Sequence, residues 1–190
     1  MSNSQFFFKY RSYTPIPLII AALILAKTTL FSFIAGFLIA LCGELIRIWS
    51  VRYAGKATRT TTEVGADELV TTGPYGHVRN PLYVGNFLLS LGMLVIAWPW
   101  MPWFILIYLA LFYIQYGTII KQEETFLQSK FGAQFTEYMQ NVPRFVPRFS
   151  NWGHGVRKPT ELKRALRTER NTLQSFTAVT LLLLLRWLLF

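Results

Sequence analysis

Apolar residues in this chain come in long runs with few charges inside them, and that arrangement limits the fold more than any single motif does. Leu30 to Val51, Leu82 to Trp98, Trp103 to Ile120 and Leu173 to Phe190 are four such runs, and a shorter one extends from about Pro15 to Ala26. A water-soluble helix would interrupt them with polar positions at every turn. A bilayer requires them, because its hydrocarbon core takes about 20 apolar residues of helix. With no water present, every backbone N–H and C=O must be satisfied internally, which leaves only helices or closed barrels. The runs carry no period-2 alternation, which selects helices over barrel strands. The composition agrees: 53% of the 190 residues are hydrophobic and mean hydropathy is +0.35. The expectation is an all-α polytopic membrane protein with about five transmembrane helices, organised as one domain over residues 1–190.

The formal charge of +10 would suit a nucleic-acid partner if the cations lined one polar face, but they lie between the apolar runs. Lys9 and Arg11, the stretch from Arg52 to Arg79 and the stretch from Lys121 to Arg170 fall on one side of the membrane, whereas Lys27 and Arg186 fall on the other. Lys/Arg-rich loops face the cytosol, so the N-terminus and both long polar stretches are expected there, and no nucleic acid is implied. The first run is read as an uncleaved span, since no small-residue cleavage motif follows Leu25. Being short, it either borrows Phe6 to Phe8 or forms a tight hairpin with its successor. The turn Pro99-Trp100-Met101-Pro102 closes a hairpin between the third and fourth runs, and its tryptophan marks the far interface. Arg186 would cost about 2.5–3.5 kcal/mol at mid-membrane and little near that interface. Glu44 and Arg47, three residues apart, share a helix face and read as an ion pair. One cysteine, Cys42, and two histidines, His77 and His154, offer neither a disulfide framework nor a metal site.

Chemistry concentrates in two places. The polar stretch ends in Gly73-Pro74-Tyr75-Gly76-His77-Val78-Arg79-Asn80-Pro81-Leu82-Tyr83-Val84-Gly85. Pro81 suits the first turn of a helix, with Asn80 before it as the N-cap. Where the fourth run ends, Lys121-Gln122-Glu123-Glu124 begins an amphipathic segment reaching Asn141, followed by a basic linker that includes Arg144, Arg148, Arg157, Lys158, Lys163, Arg164, Arg167 and Arg170. The third and fourth spans form a hairpin, so both elements sit at its same end.

These paired strings, G-P-Y-x-x-V-R-N-P-x-Y-V-G and E-E-x-x-L-x-x-x-F-G with Tyr138 and Pro143 downstream, resemble the isoprenylcysteine carboxyl methyltransferase and phospholipid methyltransferase superfamily of integral membrane enzymes. The resemblance covers roughly Gly73 to Pro147, with residues 148–190 as the basic linker and last span. It implies S-adenosylmethionine as methyl donor, S-adenosylhomocysteine as product, a cofactor pocket on the cytosolic face, and a lipophilic acceptor that enters from the bilayer. It puts Tyr75, His77, Val78, Arg79, Asn80, Pro81, Tyr83 and Gly85 in the cofactor site, with Glu123 and Glu124 on its opposite wall. The residue types suit that ligand. A guanidinium pairs with the α-carboxylate, acids meet the ribose hydroxyls and amino group, and Tyr75, Tyr83 and Phe126 can flank the adenine.

By the same resemblance, catalysis needs an arginine and a glutamate near the double acid. Glu123 matches the acid; Thr118, Ile119 and Lys121 stand where the arginine is expected, so Arg79 or Arg144 supplies it. Asn80 stands where the eukaryotic enzymes usually have histidine. An amide cannot take a proton at neutral pH, which favours an acceptor that arrives anionic, such as a carboxylate, or one deprotonated by Glu123 or His77. Membrane sterol reductases carry a similar arginine and double-acid signature with a nicotinamide cofactor, but have many more spans. A non-enzymatic transporter or assembly factor would place polar residues at mid-membrane, whereas the charges here cluster at span ends. The oligomeric state and the acceptor's identity are left open.

Overall fold

The structure, a computed structural model, describes residues 13–54, 68–153 and 159–189. Phe6 to Phe8, Lys9, Arg11, His154, Arg157 and Lys158 lie outside the described residues. Among the described residues the chain is all-helical, with α1 (Ile16–Ile24), α2 (Leu30–Ala54), a 3-10 turn (Gly73–Gly76), α3 (Pro81–Ala97), α4 (Trp103–Phe131), α5 (Ala133–Asn141) and α6 (Leu162–Leu189). Three helices, α2, α4 and α6, are long and apolar enough to cross a membrane. At about 1.5 Å per residue they exceed the roughly 30 Å hydrocarbon core. The 17-residue apolar α3 reaches about 25 Å, and the nine residues of α1 about 13 Å.

Two helices run further than the apolar pattern indicates. α4 does not stop at Ile120 but continues through the double acid to Phe131. Nothing between these points breaks a helix, and the first breaker is Gly132, whose φ of +53° ends α4 and turns the chain into α5. The expected amphipathic segment from Lys121 to Asn141 is therefore the exposed end of α4 plus the separate helix α5. Likewise α6 begins at Leu162, so most of the described basic linker is its first turns.

The most extensive helix contact is between α2 and α3, and small residues explain it. Gly36, Ala40 and Gly43 on α2 meet Gly85, Leu89 and Gly92 on α3. A Cβ added at Gly43 would lie 2.5 Å from the Leu89 nitrogen and 2.7 Å from the Gly85 carbonyl oxygen. Within lipid no hydrophobic effect drives helices together, so close backbone approach of this kind supplies the packing. α3 and α4 behave differently: few residues of their backbones approach, and aromatic rings fill the gap. Phe87, Tyr108, Phe112 and Tyr116 stack in series there, with centroid separations of 4.2–5.9 Å.

The two ends of the bundle differ in chemistry. At one end, the Lys27 N–H donates to the Ala97 carbonyl at 2.8 Å and Arg186 Nη2 donates to the Ile24 carbonyl at 2.8 Å. Arg186 is thus level with the Trp98 to Pro102 turn rather than at mid-membrane. At the other end, Arg52 Nε donates to the Thr160 carbonyl at 3.1 Å and the Thr160 N–H donates to the Arg52 carbonyl at 2.7 Å. This brings the end of α2 to the start of α6, beside the start of α3. α1, α3, α4 and α6 line a partly open cavity of about 270 Å³.

Candidate functional site

The segment before α3 is shaped by its glycines and held by the chain that follows α5. Gly73 opens the 3-10 turn at φ +61°, and a Cβ there would lie 2.6 Å from the Tyr53 ring, so both the backbone and the space require glycine. The downstream segment then lies alongside it. The Arg79 N–H donates to the Pro143 carbonyl at 2.9 Å, the Arg148 N–H to the His77 carbonyl at 2.9 Å and the Trp152 N–H to the Gly76 carbonyl at 3.0 Å. His77 Nδ1 donates to the Arg148 carbonyl at 2.9 Å, which directs Nε2 elsewhere, and its ring lies against Trp49. The Tyr138 hydroxyl donates to the Tyr75 carbonyl at 2.7 Å. Burial pushes that hydroxyl well above its ordinary range, so it stays a donor at any physiological pH. Beneath these residues, Phe135, Tyr138 and Val142 form a small core with Leu69, Leu127, Phe131 and Trp152 packed around it.

The two motifs meet through the double acid. Glu124 is buried, and Arg79 Nε donates to its Oε1 at 3.1 Å. Arg144 donates to the same carboxylate, through Nε to Oε1 at 3.2 Å and through Nη2 to Oε2. Arg79 Nη1 also donates to the carbonyls of Met139 at 2.7 Å and Val142 at 2.8 Å. Arg79 therefore pins the start of α3 to α4 and to the end of α5. Its side chain is 12% exposed, whereas that of Arg144 is 50% exposed. Glu123, one residue earlier, turns to α3 and accepts from the Tyr83 hydroxyl at 2.7 Å. Asn80 stands at the N-cap position of α3 without a side-chain cap bond; its Nδ2 instead donates to the Arg144 carbonyl at 3.3 Å. Val84, Gln122, Phe126, Arg144 and Phe145 line a groove that continues along α3 and α4.

The remaining residues expected at the site serve packing in this structure. Val78 and Pro81 are buried. Gly85 is buried facing α2, where an added Cβ would be 2.5 Å from Arg47 Cγ. That arginine and its partners were not apparent from the sequence as a cluster. Arg47 Nε lies 3.8 Å from Glu44, as their spacing implies, but its hydrogen bonds go to Glu169 on α6, at 3.0 Å from Nε and 2.5 Å from Nη2. Arg47 also donates to Asn86 Oδ1 and to Thr172 Oγ1 at 3.3 Å. Asn86 and Thr172 in turn line the partly open cavity, beside Thr14, Gln115 and Tyr116. The only available signal was an asparagine and a glutamine inside otherwise apolar runs, which in a membrane helix marks an internal face.

Among the described residues, an all-helical fold with helices long and apolar enough to cross a membrane thus joins the two polar motifs at Glu124. The phospholipid methyltransferase family model matches residues 31–134, more than half of the chain. The chain belongs to that family, and hence to the wider superfamily of membrane methyltransferases that includes isoprenylcysteine methyltransferases. It is 30% identical over 115 residues to protein-S-isoprenylcysteine O-methyltransferase B of Arabidopsis thaliana, covering 59% of this chain and 57% of the relative. It is 36% identical over 107 residues to the cobalt-zinc-cadmium resistance protein CzcN of Cupriavidus metallidurans, covering 55% of this chain and 44% of the relative. The matched stretches thus span about half the length of these relatives. No solved structure matches the chain.

Proposed function

We propose that this protein transfers a methyl group from S-adenosylmethionine to a lipid-like acceptor at the cytosolic face of a bilayer that it spans five times, as one domain over residues 1–190. The observation that carries this reading is Glu124. One buried carboxylate joins Arg79 of the first motif to Arg144 beyond the second, which makes a single polar site at one end of an otherwise apolar bundle. Glu123 beside it is half-buried and already engages a hydroxyl.

The donor set suits S-adenosylmethionine, which when bound supplies an electrophilic methyl group. Arg144, half-exposed, offers guanidinium donors to a carboxylate, and Arg79 braces it through Glu124. Glu123 and Tyr83 offer acceptor and donor positions for hydroxyl or amino groups, and Tyr75 and Phe126 offer aromatic surface. His77, Val78, Asn80, Pro81 and Gly85 shape the wall that carries these groups. Displacement at a methyl carbon gains most from holding the reactants in line, so Glu123 acts by orienting the reacting groups or by accepting a proton from an acceptor that carries one. A carboxylate acceptor needs no such base. The partly open cavity, with apolar walls and polar groups at Thr14, Asn86, Gln115 and Tyr116, suits the acceptor's chain.

Calorimetric titration of the detergent-purified protein tests the reading. S-adenosylhomocysteine should bind saturably and a nicotinamide dinucleotide should not; the reverse result would overturn it. Arg79→Lys should weaken S-adenosylhomocysteine binding by about 1–3 kcal/mol, because lysine cannot serve Glu124 and two carbonyls together. Unchanged affinity in a folded variant removes Arg79 from the site. Orientation is tested separately, in a Cys42→Ser background. A cysteine probe at Met101 should be labelled from outside intact cells and one at Ser150 should not, following the charge asymmetry; positions 65 and 155 suit the same experiment but lie outside the described residues. Labelling at Ser150 alone would invert the topology.

A further inference from the structure

The aromatic series between α3 and α4 borders two compartments rather than one. Phe112 and Tyr116, one helical turn apart on α4, line the partly open cavity and also the groove that leads to Phe126 and Arg144. Their rings stack at 4.2 Å with an interplanar angle of 27°. Phe112 meets Phe87 edge-on at 5.1 Å, and Tyr116 leans on the Tyr83 ring at 5.1 Å. The Tyr116 hydroxyl accepts from Asn86 Nδ2 at 3.3 Å, while Asn86 Oδ1 accepts from Arg47. Tyr116 therefore stands between the Tyr83–Glu123 pair on one side and the polar end of the cavity on the other.

We propose that Phe112 and Tyr116 are a partition that determines acceptor specificity, a reading that rests on the cavity holding the acceptor. Methyl transfer needs donor and acceptor atoms about 3–3.5 Å apart, and a wall of aromatic rings keeps two bound molecules further apart than that. The acceptor's polar end must therefore pass the edge of the wall at Tyr116, whose hydroxyl can hydrogen-bond it there. Phe112, about 6 Å deeper, limits the cross-section of the chain behind. At about 270 Å³ the cavity is smaller than the about 300–1,000 Å³ of pockets for drug-sized ligands, a size that favours one hydrocarbon chain over the two of a diacyl phospholipid. Phe112 is what keeps the second chain out.

The test uses a diazirine-bearing palmitic acid and a diacyl phosphatidylcholine carrying the same chain, each photolysed with the full-length protein in nanodiscs and mapped by mass spectrometry. In the wild type, the single-chain probe should label Leu89 and Met93 inside the cavity, and the diacyl probe should label only lipid-facing positions such as Leu38. Phe112→Ala merges the compartments and should raise diacyl labelling at Met93 at least fivefold. Phe112→Trp fills the space and should lower single-chain labelling at least fivefold. Tyr116→Phe should leave single-chain labelling and S-adenosylhomocysteine affinity unchanged while lowering kcat for methyl transfer into a total lipid extract at least tenfold. Labelling that ignores both Phe112 variants, each confirmed monodisperse, overturns the partition, as does full turnover by Tyr116→Phe. Labelling that responds as expected in a protein that never transfers methyl upholds the partition and instead sinks the methyltransferase reading.

Discussion

Glu123→Gln is expected to leave the protein folded and able to bind S-adenosylhomocysteine while lowering methyl transfer by about 10²-fold or more, the scale of a lost catalytic carboxylate. The substitution is nearly isosteric, and its amide oxygen still accepts from the Tyr83 hydroxyl that Glu123 engages at 2.7 Å. Its neighbour Glu124, by contrast, holds both the buried Arg79 and the half-exposed Arg144. What is removed is the negative charge facing α3. Transfer of labelled methyl into a total lipid extract, set beside calorimetric cofactor binding and thermal stability in detergent, separates the possibilities. Full turnover by the variant would remove Glu123 from the chemistry.

Glu124→Ala should produce the opposite pattern, with the fold failing first. Consecutive helical residues point about 100° apart, and Glu124 turns into the protein, where Arg79 and Arg144 both donate to it. Removing one partner of a buried ion pair costs about 3–5 kcal/mol, since the other charge is left uncompensated. Arg144 is half-exposed and can return to solvent, so the lower end, about 3 kcal/mol, is expected, with a fall in Tm on the order of 10 °C. Cofactor binding should be lost along with the brace. Thermal unfolding of the detergent-purified variant measures this directly. A variant with wild-type Tm and impaired turnover would make Glu124 a reacting group rather than a strut.

The membrane class, the four longer apolar helices and the meeting of the two motifs were legible in the sequence, because lipid imposes a local rule that each apolar run obeys by itself. Helix limits were less so. Lys121 looks like the end of a span because charge begins there, yet an α-helix leaving a membrane has no physical reason to stop until a breaker such as Gly132 intervenes. Glu44 and Arg47 sat at the spacing of a pair, but Arg47 gives its hydrogen bonds to Glu169, 122 residues away in sequence. Local spacing carries no information about such a partner. Asn80 occupies the capping position that Pro81 predicts, and its side chain serves Arg144 instead. Gly85, grouped with the cofactor residues by its motif, is required where it stands by the passing stem of Arg47. The cavity was invisible because its walls come from α1, α3, α4 and α6 at once.

The glycine seam between α2 and α3 has a consequence for motion. Backbones that touch along Gly36, Gly43, Gly85 and Gly92 have no side chains to rearrange, so the two helices can move only as one body. α1 and α6 hold to that body through far fewer residues, α6 by the Arg47–Glu169 pair, by Phe176 and Trp187 against Phe37 and Phe33 and by Leu183 against Ile96 and Ala97. Any breathing that lets a hydrocarbon chain in from the bilayer must then be borne by α1 and α6 swinging against a fixed pair. Amide exchange should accordingly be slowest along α2 and α3 and fastest in α1.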